Sequence, residues 1–275
     1  MIVTTGLDLF KTRDHVSNFD DYVAEYQARS EETRKTLKML PDVSYGSGAN
    51  EKLDLFFPSA PVQGCPVHLF IHGGYWRMFS KDDFSFIADT VTACGAIAAI
   101  MDYDLMPALR MEKIVGQVRQ AFSWLHKNAK HYGGDPHRLS ISGHSAGAHL
   151  ATFTFSAQHD VIPSAALLLS GVYDLEPLQS SFLKSLIALT NEEVRDFSPL
   201  RQQHSSAPKI AIAYGEKETM PFVQQAANFS QHLIKGGTAT SIDLLRSCNH
   251  MSAVRDLGIA QSRAGELLQS TIWPI

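Results

Sequence analysis

The chain lacks most of what would assign it to another class of protein. Its three cysteines, Cys65, Cys94 and Cys248, are an odd number without metal-ligand spacing. Neither a disulfide framework nor a zinc site is indicated, and all three read as packing residues in a reducing cytoplasm. Charge is nearly balanced, with 24 Lys and Arg against 28 Asp and Glu for a net charge of −4. That balance offers no footprint for nucleic acid or for an anionic membrane surface. No apolar run is long enough to span a bilayer. The opening, Met1-Ile2-Val3-Thr4-Thr5-Gly6-Leu7-Asp8, has no basic region followed by an apolar core, so no secretory signal is expected. Internal repeats and low-complexity segments are absent. Gly46-Ser47-Gly48 lacks the third glycine and the strand–helix setting of a dinucleotide site, and Gly133-Gly134-Asp135-Pro136 is a turn without phosphate-binding surroundings. No His-Glu-x-x-His occurs, so neither a catalytic metal nor a cofactor is expected.

What remains is an ordinary globular composition, 44% hydrophobic over 275 residues, enough for one large core. No linker marks a boundary, and one α/β domain is expected over 1–275. Residues 18–40 are polar with periodic Phe19, Tyr22, Val23, Tyr26 and Leu37, which predicts an amphipathic helical arm. Lys52–Phe57 alternates and stops at Pro58, as an early strand would. Buried-strand runs follow at Val67–Ile71 and Ala96–Met101, and further strands read at Arg138–Ser142, Ala165–Ser170, Lys209–Tyr214 and Thr240–Leu245. Helical patterns separate them, at 109–131, from Ala146 onward, at 222–235 and at 253–270. Strands alternating with helices predict a mostly parallel sheet covered on both faces. Residues 175–207, with two prolines and little strand signal, break the rhythm and are expected to form a small cap insertion.

Chemistry concentrates at Gly143-His144-Ser145-Ala146-Gly147. In Gly-x-Ser-x-Gly a serine sits on a sharp strand-to-helix turn, flanked by glycines that let the backbone bend. Ser145 is then a nucleophile, and a serine hydroxyl needs a base within reach and a carboxylate to orient that base. The chain order Ser, acid, His of the α/β-hydrolase fold selects His250 after the last strand over His232 in mid-helix. For the acid, Glu218 and Glu216 both follow the strand ending at Tyr214. Glu218 is the first choice, Glu216 the second and Asp174 the third. His72-Gly73-Gly74-Tyr75-Trp76 follows the Val67–Ile71 strand and can turn amides inward. The amides of Gly74, Tyr75 and Ala146 are the expected oxyanion donors. Tyr75, Trp76 and His144 are candidates to touch the substrate, with core filling the alternative for Tyr75 and equally for Trp76, and His149, one turn into the helix, reads as packing.

Taken together, His72–Trp76, Gly143–Leu150 and Ser170-Gly171-Val172-Tyr173-Asp174-Leu175-Glu176-Pro177 resemble the α/β-hydrolase type of kynurenine formamidase (arylformamidase). The likeness extends upstream to Thr33-Arg34-Lys35, Val43–Gly46 and Asp54–Pro58, and downstream to Gly215–Phe222 and His250, covering most of the chain. It implies hydrolysis of N-formyl-kynurenine, or a related aryl formamide, to the free amine and formate through an acyl-enzyme. Two departures stand out: Glu218 occupies a position that more often holds Asp, and Cys248-Asn249-His250-Met251 replaces a more acidic segment. The expected partner is a small-molecule substrate, with a homodimer left open. A broad carboxylesterase acting on small esters or carbamates is the alternative function. A non-catalytic binding protein on the same fold is a third reading, which the retained Ser145 and His250 oppose.

Overall fold

A computed structural model describes residues 6–60, 63–157 and 159–274. Met1–Thr5, part of the segment read for a secretory signal, lies outside the described residues. In chain order the elements are α1 (Phe19–Thr36), β1 (Lys38–Ser44), β2 (Lys52–Phe57), β3 (Cys65–Ile71), α2 (Ile87–Ala93), β4 (Ile97–Met101), α3 (Met111–Asn128), β5 (Gly134–His144), α4 (Ala146–Ala151) and β6 (Ala165–Leu169). They continue with α5 (Lys184–Ile187), α6 (Asn191–Phe197), β7 (Lys209–Gly215), α7 (Met220–Lys235), β8 (Thr240–Leu245), α8 (His250–Leu257) and α9 (Arg263–Ile272).

The eight described strands form one sheet in the order β1-β2-β4-β3-β5-β6-β7-β8. β2 pairs antiparallel with β1 and with β4, and every other pairing is parallel. Strands β3, β4 and β6 are buried along their whole length, as parallel strands covered on both faces must be. Alternate residues serve opposite faces. Val67, Leu69 and Ile71 pack on the side of α3 and α7, and Phe70 on the side of α1, α2, α8 and α9. This is an α/β-hydrolase fold.

The topology itself locates a crevice. From β3 the chain crosses to β4 on one side and then returns to β5 on the other. The turns leaving β3 and β5 therefore emerge side by side at the carboxyl edge, where ligands bind in open α/β sheets. Ile71 at the end of β3 pairs with Gly143.

Several boundaries differ from the sequence expectation. The arm read over 18–40 ends at Thr36, and Lys38–Ser44 is an edge strand. This strand is largely exposed and contains Pro41, so it carries little hydrophobic signal. Lys52–Phe57 is buried on both faces rather than alternating, because α1 and α2 cover its second side. The stretch 253–270 is two helices, parted at Gly258. Residues 175–207 hold α5, α6 and short 3-10 turns between β6 and β7, and Leu175, Leu178, Leu183 and Ile187 face the core on the α3 side. Among the described residues no helix is long and apolar enough to cross a membrane.

Candidate active site

The turn after β5 is as sharp as its glycines suggest. A methyl group on Gly143 would overlap the Gly147 carbonyl, and one on Gly147 would overlap the carbonyl oxygens of Ile71 and His72. Only glycine permits α4 to start this close to β3. Ser145 is held at φ 56° and ψ −116°. This costs conformational energy that the surrounding structure has to supply. Its amide donates to Leu169 O at 2.8 Å and its carbonyl accepts from His149 N at 3.1 Å. Ala146 is the first residue of α4, so its own amide has no partner within the helix.

Beside it runs the loop after β3. Gly74, Tyr75 and Trp76 have φ of 106°, 54° and 57° in succession, a tight left-handed turn that rolls the chain over on itself. A Cβ on Gly73 would lie 2.8 Å from the His144 carbonyl and 3.2 Å from Ser145 Cβ, so this loop abuts Ser145. Among the described residues the amides of Gly74 and Tyr75 have no acceptor, and both residues line the same cleft as Ser145.

Glu218 and His250 arrive on two loops that are bonded to each other. Glu216 N donates to Leu245 O at 3.0 Å and Lys217 N to Cys248 O at 2.8 Å. His250 is the first residue of α8, whose capping residue Asn249 accepts from the amides of Met251 and Ser252. His250 Nδ1–H donates to Glu218 Oε2 at 3.1 Å. Glu218 Oε1 accepts from Gly215 N at 2.8 Å and from the Ser170 hydroxyl. The Glu218 side chain is fully buried. Ser170 directly follows β6; the sequence placed it in the Ser170–Pro177 resemblance but gave it no role, since nothing local shows that its hydroxyl turns to Glu218. Glu216 points elsewhere, accepting from Ser247 N at 2.8 Å near Arg246. Asp174 pairs with Arg201 and is not beside His250. His232 donates to Gln202 O, in a different part of the fold.

Ser145, His144 and His250 line one cleft together with Gly74 and Tyr75. Among the described residues no hydrogen bond joins the Ser145 hydroxyl to His250. Such contacts are often loose until a substrate tightens them. The His250 ring is sandwiched between His144 and Phe222, with centroids 4.6 and 4.4 Å away. His144 Nε2–H donates to the His250 carbonyl at 3.0 Å. Burial, and then the neighbouring His250, hold His144 well below the ordinary histidine range, so it is neutral. Among the described residues no group of three or more His, Cys, Asp or Glu side chains is disposed to hold a metal.

Trp76, a candidate to touch substrate, does not line the cleft. It is buried, and its indole N–H donates to His149 Nδ1 at 3.2 Å. His149 in turn donates from Nε2 to Phe197 O at 2.7 Å, and burial pushes its pKa down to about 4. The pair couples the elbow helix to α6. Tyr75 does face the cleft, but through an unforeseen partner. Its hydroxyl donates to Phe10 O at 2.8 Å and accepts from Thr12 N at 3.0 Å. The chain before α1 thus forms part of the cleft wall through Thr12, together with Phe19 and Tyr26 of α1. Thr219, next to Glu218, fastens the same segment through Leu9 O at 2.6 Å.

A family model described as BD-FAE matches residues 53–165. Over 246 residues the chain is 31% identical to kynurenine formamidase of Danio rerio, spanning 86% of this chain and 83% of that protein. It is 29% identical to kynurenine formamidase of Salmo salar, again over 86% of this chain and 83% of that protein. The crystal structure of a protein from Silicibacter sp. TM1040, provisionally described as a thioesterase, superposes with a TM-score of 0.84 at 24% identity, covering 96% and 97% of the two chains. Together with the elbow, the glycine-rich loop and the buried carboxylate, these likenesses show that the chain is a hydrolase belonging to the kynurenine formamidase family.

Proposed function

We propose that the chain cleaves N-formyl-kynurenine or a related aryl formamide through a formyl-enzyme. Ser145 is the nucleophile, His250 the base and Glu218 the acid that orients it. The observation that carries the reading is the Glu218–His250 hydrogen bond, formed behind a cleft whose wall includes Ser145. With Nδ1–H committed to Glu218, Nε2 is free to take the serine proton.

Ser145 Oγ attacks the formyl carbon as its proton passes to His250 Nε2. The amides of Gly74, Tyr75 and Ala146 receive the oxyanion. His250, now charged and steadied by Glu218, returns the proton to the aniline nitrogen as the C–N bond breaks. Water then attacks the formyl ester by the same route and releases formate. The aromatic rings of Tyr75, Phe79 and Phe84 in the cleft suit an aryl leaving group. Residues 175–207 act as a cap insertion, reaching the site where the Phe182 ring meets Tyr75 edge-on at 5.1 Å.

A panel of formanilides, N-formyl-kynurenine, short p-nitrophenyl esters and carbamates, run with wild type and Ser145→Ala, tests the reading. The expected result is a higher kcat/KM for formamides than for esters, abolished by Ser145→Ala. Faster turnover of esters throughout would make the chain a carboxylesterase. Substantial formanilide turnover by Ser145→Ala would end the serine mechanism.

A further inference from the structure

We infer that His72 is a positioning residue that aims the Gly74 amide, acting through the peptide plane shared by Gly73 and Gly74. The inference rests on the reading that Ser145 is the nucleophile and that Gly74 N–H receives the oxyanion.

His72 Nδ1 lies 2.8 Å from Gly73 O. A carbonyl only accepts, so Nδ1 carries the proton and the neutral ring leaves Nε2 bare. Nε2 has no hydrogen-bond partner, and the nearest carboxylate oxygen, Asp102 Oδ1, is 3.8 Å away. Burial pushes the ring's pKa down to about 4. The ring is clamped between Tyr103, stacked at 4.4 Å and 15°, and Phe84, at 5.9 Å and 10°. Tyr103 also donates its hydroxyl to His72 O at 2.9 Å. Ring and backbone of His72 are therefore both fixed.

In a trans peptide the C=O and N–H vectors oppose each other across one plane. Holding Gly73 O on the His72 side therefore points Gly74 N–H the other way, toward the cleft that Gly74 lines. Two consecutive glycines have no side chain to resist a flip of that peptide, and Gly74 at φ 106° is in a region that glycine enters freely. The other two donors are fixed by backbone alone. The plane carrying Tyr75 N–H is held by Gly74 O, which accepts from Arg77 N at 3.0 Å and Met78 N at 3.1 Å. The plane carrying Ala146 N–H is held by Ser145 O, which accepts from His149 N. Of the three donors, Gly74 is thus the one aimed by a side chain.

The test compares His72→Asn with His72→Leu. The Asn side-chain nitrogen falls where Nδ1 stands and can donate to Gly73 O; Leu has a similar branch and no donor. Losing a whole oxyanion donor costs about 100-fold or more in kcat. A misaimed one is expected to cost about 10- to 100-fold in His72→Leu, with KM within about threefold. His72→Asn is expected to stay within about fivefold of wild type, although it unfolds at the same or a lower temperature than His72→Leu. Equal losses in the two variants, or kcat falling in step with the unfolding temperature, would make His72 a packing residue and overturn the inference. Nitrogen NMR shifts of wild-type His72 give a second reading: an Nδ1–H tautomer is expected, and an Nε2–H tautomer would overturn it without any variant. Ser145→Ala, run alongside, separates the two failures. Turnover surviving in Ser145→Ala sinks the serine reading, whereas its loss with indistinguishable His72 variants sinks only this one.

Discussion

Glu218 Oε2 accepts from His250 Nδ1 at 3.1 Å, while Oε1 of the same carboxylate takes the Gly215 amide and the Ser170 hydroxyl. The carboxylate is thus held on both oxygens, and one of them holds the imidazole. Glutamate reaches this place because its loop and the histidine loop are joined by backbone hydrogen bonds. The extra methylene relative to aspartate is absorbed by folding the side chain back onto Gly215.

Glu218→Gln is accordingly expected to lower kcat by about 10²- to 10⁴-fold, since an amide cannot stabilise the imidazolium and favours the wrong tautomer. Glu216→Gln should stay within about threefold of wild type, because Glu216 only receives the Ser247 amide near the surface. Steady-state kinetics of the two variants decides, and the reverse ranking would transfer the role to Glu216.

Gly147→Ala should destabilise the fold by roughly 2–4 kcal/mol, because the new methyl overlaps backbone oxygens of Ile71 and His72 that cannot move aside cheaply. Gly116→Ala is the control, with open space around that position in mid-α3. It should be neutral or slightly stabilising by helix propensity. Urea unfolding of the pair measures the difference; equal midpoints would refute the tight elbow.

Tyr75→Phe removes the hydroxyl that ties Phe10 and Thr12 to the cleft. A loss of about 1–2 kcal/mol is expected from these bonds, concentrated in the segment before α1. Trypsin should then cut after Lys11 or Arg13 faster than in wild type, while a fluorophosphonate still labels Ser145. Unchanged proteolysis would mean that the hydroxyl does not hold the segment down.

Acid should destabilise the chain earlier than its carboxylates alone require. Burial lowers His68 to about 3, and His72 and His149 to about 4. Below the ordinary histidine pKa of ~6.5 the unfolded chain takes up protons on these rings and the folded chain does not, so stability falls with falling pH. The loss runs from about pH 6.5 down to about pH 4, at about 1 kcal/mol per pH unit for each fully buried ring. Unfolding temperatures measured at pH 7, 6 and 5 should decline steadily. A flat profile over that window would contradict the buried neutral histidines.

How far the sequence could be read depended on whether a residue's constraint was local. The Ser145 elbow was legible because a strand, a sharp turn and a helix in ten residues leave a glycine pattern. The parallel strands were legible because burial on both faces demands unbroken apolar runs, as in Ala165–Leu169. β1 was not, since an edge strand that is mostly exposed has no such demand. Trp76 stayed undecided because an aromatic after a glycine-rich turn reads the same whether it faces the cleft or, as here, His149.

The sequence by itself determined the order of the chemical groups, the strands that carry them and the places where only glycine fits, because each follows from backbone sterics over a few neighbouring residues. Tertiary structure alone decided which of two glutamates, two residues apart, turns toward His250, since that depends on the direction of a turn pinned by a distant loop. It also decided that Thr12, Phe19 and Tyr26 close the cleft, more than a hundred residues before Ser145. The periodicity of Phe19 and Tyr26 announces a helix but not the surface it packs on, because that surface is built from residues distant in the chain.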